Sequence, residues 1–277
     1  MIYQEYFELY NGVRIPKIGF GTWQIKNEVA CEACLCALRV GYRHIDTAKA
    51  YGNEEGVGQS IKESGIKRED IFITSKIPAE VKTYEEAKKC IEESLNLLDT
   101  PYIDLMLIHA PRPWDEMRWD FPYRYYDENV NVYRALEEAY EAGLIRSIGV
   151  SNFNEEDLKN IQKHCKILPM VNQICIFAGD TPMNLINFCK ENNILVEAYS
   201  PLGTGKIFKS DLIKNMAEKY NVPMSKLAIR YCYQLGTLAL PKSVNPLRIK
   251  ANTEIDDLVI SDEDMKVLKS YNIYEHI

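Results

Sequence analysis

The sequence predicts an α/β protein of the (β/α)8 barrel type, with a β-hairpin before the first barrel strand. Three observations carry that prediction. Strand-like and helix-like segments alternate eight times in about 260 residues. Several of the strand-like segments are nearly continuous apolar runs, as expected of parallel strands covered on both faces. The later runs end in polar or reactive side chains, and in such a barrel those ends converge on one face. The whole chain, residues 1–277, reads as one domain, with no linker, low-complexity tract or internal repeat.

The hairpin comes first, over residues 7–19, where alternating apolar residues flank Asn11-Gly12, a two-residue turn signal. Pro16 points to an edge position. The barrel strands follow at residues 18–23, 44–48, 71–77, 102–109, 145–152, 168–174, 195–202 and 238–243. Between them run helices with readable starts. Thr83 and Glu86 form a capping box ahead of Ala87, Ile91, Leu95 and Leu98. Asn154 caps a segment bearing Leu158 and Ile161, and Thr181 precedes Pro182 at a favoured first helical position. Val132, Leu136 and Tyr140 form a stripe closed by Gly143, and Ser261 opens a last helix with Met265 and Leu268. An open doubly wound sheet is the competing fold. It ordinarily announces a glycine-rich turn after its first strand, and GFGTWQ at residues 19–24 lacks the third glycine. GTGK at residues 203–206 is not a phosphate loop.

Composition narrows the function classes. The net charge is −7 without a block of Lys and Arg, which argues against nucleic-acid or anionic-membrane partners. No apolar run reaches the ~18 residues of a membrane span. The N-terminal stretch carries acids and no basic cluster, so it does not read as a secretory signal, and the cytoplasm is the expected location. Of eight cysteines, Cys31, Cys34 and Cys36 are clustered, but within residues 27–40, which read as one helix without a breaker. They read as small buried apolar residues rather than ligands, and no metal site is expected.

The strand ends hold the candidate chemistry. They offer Asp46, Lys76, His109, Ser151-Asn152, Asn172-Gln173, Tyr199-Ser200 and Lys242-Ser243, with Tyr51 five residues after Asp46. A lysine beside a phenol favours its ionisation, and a carboxylate holds that lysine charged. Asp46, Lys76 and Tyr51 therefore read as a tyrosine of lowered pKa that donates a proton to a developing alkoxide, with His109 orienting the carbonyl. The bland alternatives are a buried Asp46–Lys76 ion pair and a satisfied core histidine.

These motifs resemble those of the aldo-keto reductase superfamily. GFGTW (residues 19–23), GYRHIDTAKAYGNEEGVG (41–58), ITSKI (73–77), YIDLMLIH (102–109), IGVSNF (148–153), NQ (172–173), EAYSPLG (197–203) and LPKSVNPLRIKAN (240–252) match in order and spacing over nearly the whole chain. The resemblance implies a catalytic set of Asp46, Tyr51, Lys76 and His109, and hydride transfer from a nicotinamide to a carbonyl with Tyr51 as general acid. It implies that Tyr199 stacks on the nicotinamide and that Ser151, Asn152 and Gln173 bind its carboxamide. Gly21, Thr22 and Trp23 then lie beside cofactor or substrate, with Ser200 and Leu202 among the cofactor contacts. Lys242, Ser243, Val244 and Arg248 match the part of the family that holds the 2′-phosphate of NADP, and Asn252 lies near the adenine. Two cations and a hydroxyl suit a dianion, so NADPH is the expected cofactor.

Three departures bear on the ligands. Ala251 stands where a glutamate is common, which removes one adenine contact. Ala110 follows His109 where many relatives have tryptophan, which predicts a wider pocket. The long loop at residues 112–129 holds Trp114, Trp119, Phe121, Tyr123, Tyr125 and Tyr126, and is expected to shape the substrate cleft together with Trp23, Tyr51 and His109. The chain ends soon after its last helix, without the extended tail that shapes steroid pockets in longer relatives. The expected substrates are small aldehydes, ketones, ketoacids or dicarbonyls, and the expected state is a monomer. The alternatives are a non-catalytic NADP(H)-binding sensor or scaffold on the same barrel, and a metal-assisted barrel enzyme. Four intact catalytic positions oppose the first. The shortage of histidines, one of them His276 at the tail, opposes the second.

Overall fold

The computed structural model describes residues 1–117 and 122–275, so Trp119, Phe121 and His276 lie outside the described residues. A two-stranded antiparallel sheet, β1 (Tyr6–Glu8) and β2 (Arg14–Pro16), precedes an eight-stranded parallel sheet. The latter comprises β3 (Phe20–Gly21), β4 (His44–Asp46), β5 (Phe72–Ile77), β6 (Leu105–Ile108), β7 (Ile148–Ser151), β8 (Val171–Cys175), β9 (Leu195–Tyr199) and β10 (Leu238–Leu240), neighbours in sequence order. The ring closes through a parallel bridge between Ile18 and Ala239, and through Gly21 N–H donating to Pro241 O at 3.1 Å. A side chain on Gly19 would collide with His44 Nδ1 at 2.6 Å, which explains why this inward position on the first turn of the ring carries none.

Helices α1 (Asn27–Val40), α2 (Glu54–Glu63), α3 (Tyr84–Leu97), α4 (Tyr126–Glu141), α5 (Glu155–His164) and α6 (Met183–Glu191) each follow one strand. Two helices, α7 (Asp211–Lys219) and α8 (Met224–Gln234), follow β9, and α9 (Pro246–Ala251) and α10 (Asp262–Ser270) close the described chain. The caps explain several starts. Asn154 and Asp157 exchange side-chain and backbone bonds in a full capping box, and Ser261 accepts from Asp264 N–H. Thr83 accepts from Glu86 N–H, but the Glu86 carboxylate takes the Thr83 hydroxyl instead of reaching a backbone N–H.

Three local expectations change. The hairpin loop is not a two-residue turn: Leu9 N–H donates to Val13 O, leaving residues 10–12 outside the ladder with Gly12 at φ +82°. Thr181 does not cap α6, because its hydroxyl bonds Phe177 O and Tyr231 instead, and Pro182 precedes the first helical residue. The strands are shorter than the apolar runs. At β7 and β9 the chain leaves the extended region at once, with Asn152 at φ +61° and Ser200 at φ +51°. The clustered cysteines do lie on α1, with Cys34 fully buried and its thiol pushed up to about 12 by burial.

The hairpin lies at the N-terminal ends of the strands: Asn11 donates to Arg146 O and Tyr10 to Leu168 O, just before β7 and β8. The opposite face is left to the loops that follow the strands.

Candidate active site

Those loops surround a cleft of about 770 Å³. Beneath it, Lys76 on β5 is fully buried, with Nζ 2.8 and 2.9 Å from the two oxygens of Asp46, 2.8 Å from Thr47 O and 3.5 Å from the Tyr51 hydroxyl. Asp46 ends β4, and Tyr51 is brought back over Lys76 by the short 3-10 turn Lys49–Tyr51. Spacing alone makes this possible: a strand end and one tight turn bring a phenol over a neighbouring strand. The His109 ring, one residue past β6, meets Tyr51 edge-on at 5.5 Å and Trp114 at 5.2 Å. The structure thus brings Asp46, Tyr51, Lys76 and His109 together.

The electrostatics differ from the simple expectation for Tyr51. Lys76 does lower its pKa, but burial raises it more, so the phenol stands above its ordinary value and is protonated near neutral pH. Burial and the Lys76 charge push the His109 imidazole down to about 3, so the ring is neutral. Its Nδ1 is buried without a hydrogen-bond partner among the described residues, which leaves Nε2 as the nitrogen for a ligand.

Asn152 organises the opposite wall. Its amide donates to His109 O at 3.0 Å and Ser151 Oγ at 3.1 Å, and its Oδ1 accepts from the Tyr199 hydroxyl at 2.7 Å. Three bonds hold this residue in a left-handed conformation that asparagine tolerates better than most residues. Ser151 donates to Gln173 O, and Gln173 Nε2 donates to Asp46 Oδ1 at 2.8 Å. Gly21, Trp23, Ser151, Asn152, Gln173, Tyr199, Ser200, Leu202 and Lys242 all line the cleft. Thr22 is fully buried instead, its hydroxyl and N–H both bonded to Asp46 O. Ser243, Val244, Arg248 and Asn252 lie on the segment after β10 and on or beside α9, with Ser243 Oγ 3.4 Å from Arg248 Nε. Neither Lys242 nor Arg248 forms an ion pair among the described residues.

After β6, Ala110 is fully buried and does not line the cleft; Trp114, four residues on, supplies an aromatic wall. Lys82 pins this segment through Ala110 O, Pro111 O and Asn129 Oδ1. Tyr125 and Tyr123 meet edge to face and donate to Glu116 and Glu128 respectively, and neither lines the cleft. Sequence reasoning missed Phe208, which lines the cleft from the loop after β9 and carries no motif. It also missed Glu197 in the barrel interior, whose signal is an acid inside the apolar run of β9. Among the described residues no cluster of three or more His, Cys, Asp or Glu is placed to hold a metal ion.

A sequence profile described as the Aldo/keto reductase family matches residues 17–273. The chain belongs to the aldo/keto reductase family. It is 40% identical over 271 residues to the glyoxal reductase of Bacillus subtilis, covering 98% of this chain and 94% of that protein. Among solved structures, an aldo/keto reductase from Brucella melitensis superposes with a TM-score of 0.88 at 38% identity, over 97% of this chain and 98% of that one. An aldo-keto reductase of Bombyx mori in complex with NADP gives 0.86 at 30% identity, over 97% and 93%. Family membership makes this aldo/keto reductase an oxidoreductase.

Proposed function

We propose that the protein reduces small aldehydes, ketones or dicarbonyls with NADPH, through Tyr51, Lys76, Asp46 and His109. The observation that carries this reading is the Tyr51 hydroxyl, protonated and 3.5 Å from a buried lysine, at the floor of an open cleft beside a neutral imidazole. The residues present fit an NADP(H) cofactor. Tyr199 offers a partly buried ring in the cleft wall, its hydroxyl tied back to Asn152. Lys242 and Arg248 are exposed cations next to the Ser243 hydroxyl, a set suited to a 2′-phosphate.

When bound, NADPH supplies the hydride that adds to the carbonyl carbon. His109 Nε2–H fixes the carbonyl oxygen, which a neutral ring can do while a doubly protonated ring would clash with Lys76. Tyr51 transfers its proton to the oxygen as negative charge develops there. The phenolate left behind faces Lys76, and Asp46 keeps that lysine charged and aimed. Trp23 and Trp114 form the rim through which substrate enters. The Bacillus subtilis relative is named a glyoxal reductase, and small dicarbonyls are accordingly the first substrates to try.

Tyr51→Phe tests the assignment. Loss of the proton donor lowers kcat by about 10²–10⁴-fold with little change in NADPH affinity. A variant that keeps wild-type turnover would remove Tyr51 from the reaction.

A further inference from the structure

The barrel interior carries one acid that the reaction above does not use. Glu197 lies mid-way along β9, fully buried, and its Cα pairs with that of Gln173 on β8. The Gln173 amide has two N–H bonds on Nε2, and both are taken: one by Asp46 Oδ1 at 2.8 Å, the other by Glu197 Oε2 at 2.6 Å. Turning the amide over would place its oxygen against the Asp46 carboxylate, which has no proton to give it. The Gln173 Oε1 accepts no hydrogen bond among the described residues, and Gln173 lines the cleft. We propose that Glu197 is a positioning residue: together with Asp46 it locks the Gln173 amide so that a carbonyl oxygen, not an amino group, is presented to the ligand. The subsite then selects a group with N–H donors, which under the cofactor reading is the carboxamide of the nicotinamide.

The surroundings explain why this clamp does not disturb the catalytic charges. The groups that face Glu197 are Asp46 from β4, Lys76 from β5 and Gln173 from β8, while its partner on β10 is the apolar Leu238. Burial and the nearby Asp46 charge raise the Glu197 carboxyl to about 8. At neutral pH it is therefore a neutral acceptor. It holds the amide without competing with Asp46 for the one buried cation. Its other oxygen, Oε1, is buried without a hydrogen-bond partner among the described residues. An aliphatic residue here would leave the second Gln173 N–H unpaired inside the barrel.

The test is a thermodynamic cycle on NADPH binding, read by cofactor fluorescence. Glu197→Leu is expected to raise the dissociation constant about tenfold, the scale of one well-placed hydrogen bond. Glu197→Gln retains a carbonyl acceptor and is expected to stay within about twofold of wild type. On a Gln173→Leu background Glu197→Leu should add nothing, because its effect passes through Gln173. In turnover the change falls on KM for NADPH rather than on kcat. Should Glu197→Leu not fold, Glu197→Val is read the same way. An unmoved dissociation constant in Glu197→Leu, or full additivity with Gln173→Leu, overturns the proposal alone. Wild-type protein without NADPH affinity overturns the cofactor reading and the proposal with it, whereas NADPH binding without carbonyl turnover overturns only the reaction.

Discussion

Replacing Lys76 by methionine separates the two jobs that its position gives it. Lys76 has no exposed surface, and its Nζ makes bonds of 2.8 and 2.9 Å to Asp46 and 2.8 Å to Thr47 O. Without it Asp46, 4% exposed, keeps only the Gln173 amide as a side-chain donor among the described residues. Breaking a buried pair by removing one partner costs about 3–5 kcal/mol. For a chain of this size each kcal/mol moves Tm by about 2–4 °C, so the melting temperature should fall by roughly 10 °C. A fold with about 5–15 kcal/mol in hand survives that loss. Removing both charges, as Asp46→Asn with Lys76→Met, should recover most of the Tm, because a neutral pair of similar volume leaves no stranded charge.

Catalysis should not follow stability. In both variants the Tyr51 phenolate formed after proton donation faces no cation, and the influence that opposes burial on the Tyr51 pKa is gone; in the single variant the Asp46 charge raises it further. We expect kcat to fall by at least about 10²-fold in the single and the double variant alike. Thermal melts at neutral pH and NADPH-coupled turnover on a small dicarbonyl measure the two quantities on the same samples. If the double variant regained activity along with its Tm, Lys76 would be only a structural partner of Asp46. If the single variant kept its kcat, the proton-donor arrangement would be wrong.

Other consequences follow from the same geometry. Arg248→Ala should raise KM for NADPH by about tenfold and leave KM for NADH nearly unchanged, since only the former carries the extra phosphate; steady-state kinetics with both cofactors decide this. Trp114→Ala removes the ring that packs edge-on against His109, and should lower kcat/KM for small carbonyls about fivefold, measured with NADPH saturating. Acid should destabilise the fold in a defined window. His44 and His109 are both held near 3, below the ordinary 6.5, by burial and by Lys76, so the unfolded chain binds their protons first. Their contribution is complete above about pH 6.5 and is lost as pH falls toward 3. Melts from pH 7 to pH 4 should show Tm falling, and His109→Gln should make that fall shallower.

Sequence reading reached the barrel because each strand is a local event: a short apolar run followed by a helix with its own cap. It grouped Asp46, Lys76 and His109 for a related reason, since strand ends share one face once the ring closes, with Tyr51 on the turn after β4; their catalytic roles came from the resemblance to a family. What it missed depends on balance between neighbours. The Tyr51 pKa is a contest between burial and one cation at 3.5 Å, and no motif states which wins. The hairpin loop was misread because Asn-Gly marks a tight turn without fixing its length. Glu197 escaped notice because a strand inside a barrel has no solvent face, so an acid there breaks the apolar pattern without showing what it bonds.

That acid also shows how the interior is composed. Such barrels are ordinarily filled by branched aliphatic side chains. Here His44 bonds Thr74, Asp46 bonds Lys76, and Gln173 joins Asp46 to Glu197, all with almost no exposed surface. One cation and two carboxyl groups cannot all be charged in that space without a surplus of negative charge, and the raised Glu197 pKa resolves the surplus by retaining a proton. The two buried imidazoles stay neutral chiefly because burial disfavours their charged form, and the Lys76 charge adds to that. Burial is the larger influence on each of these groups, and the charge of Lys76 or Asp46 adds to it or opposes it. A substitution that alters either charge changes the others through space, whether or not it touches a ligand.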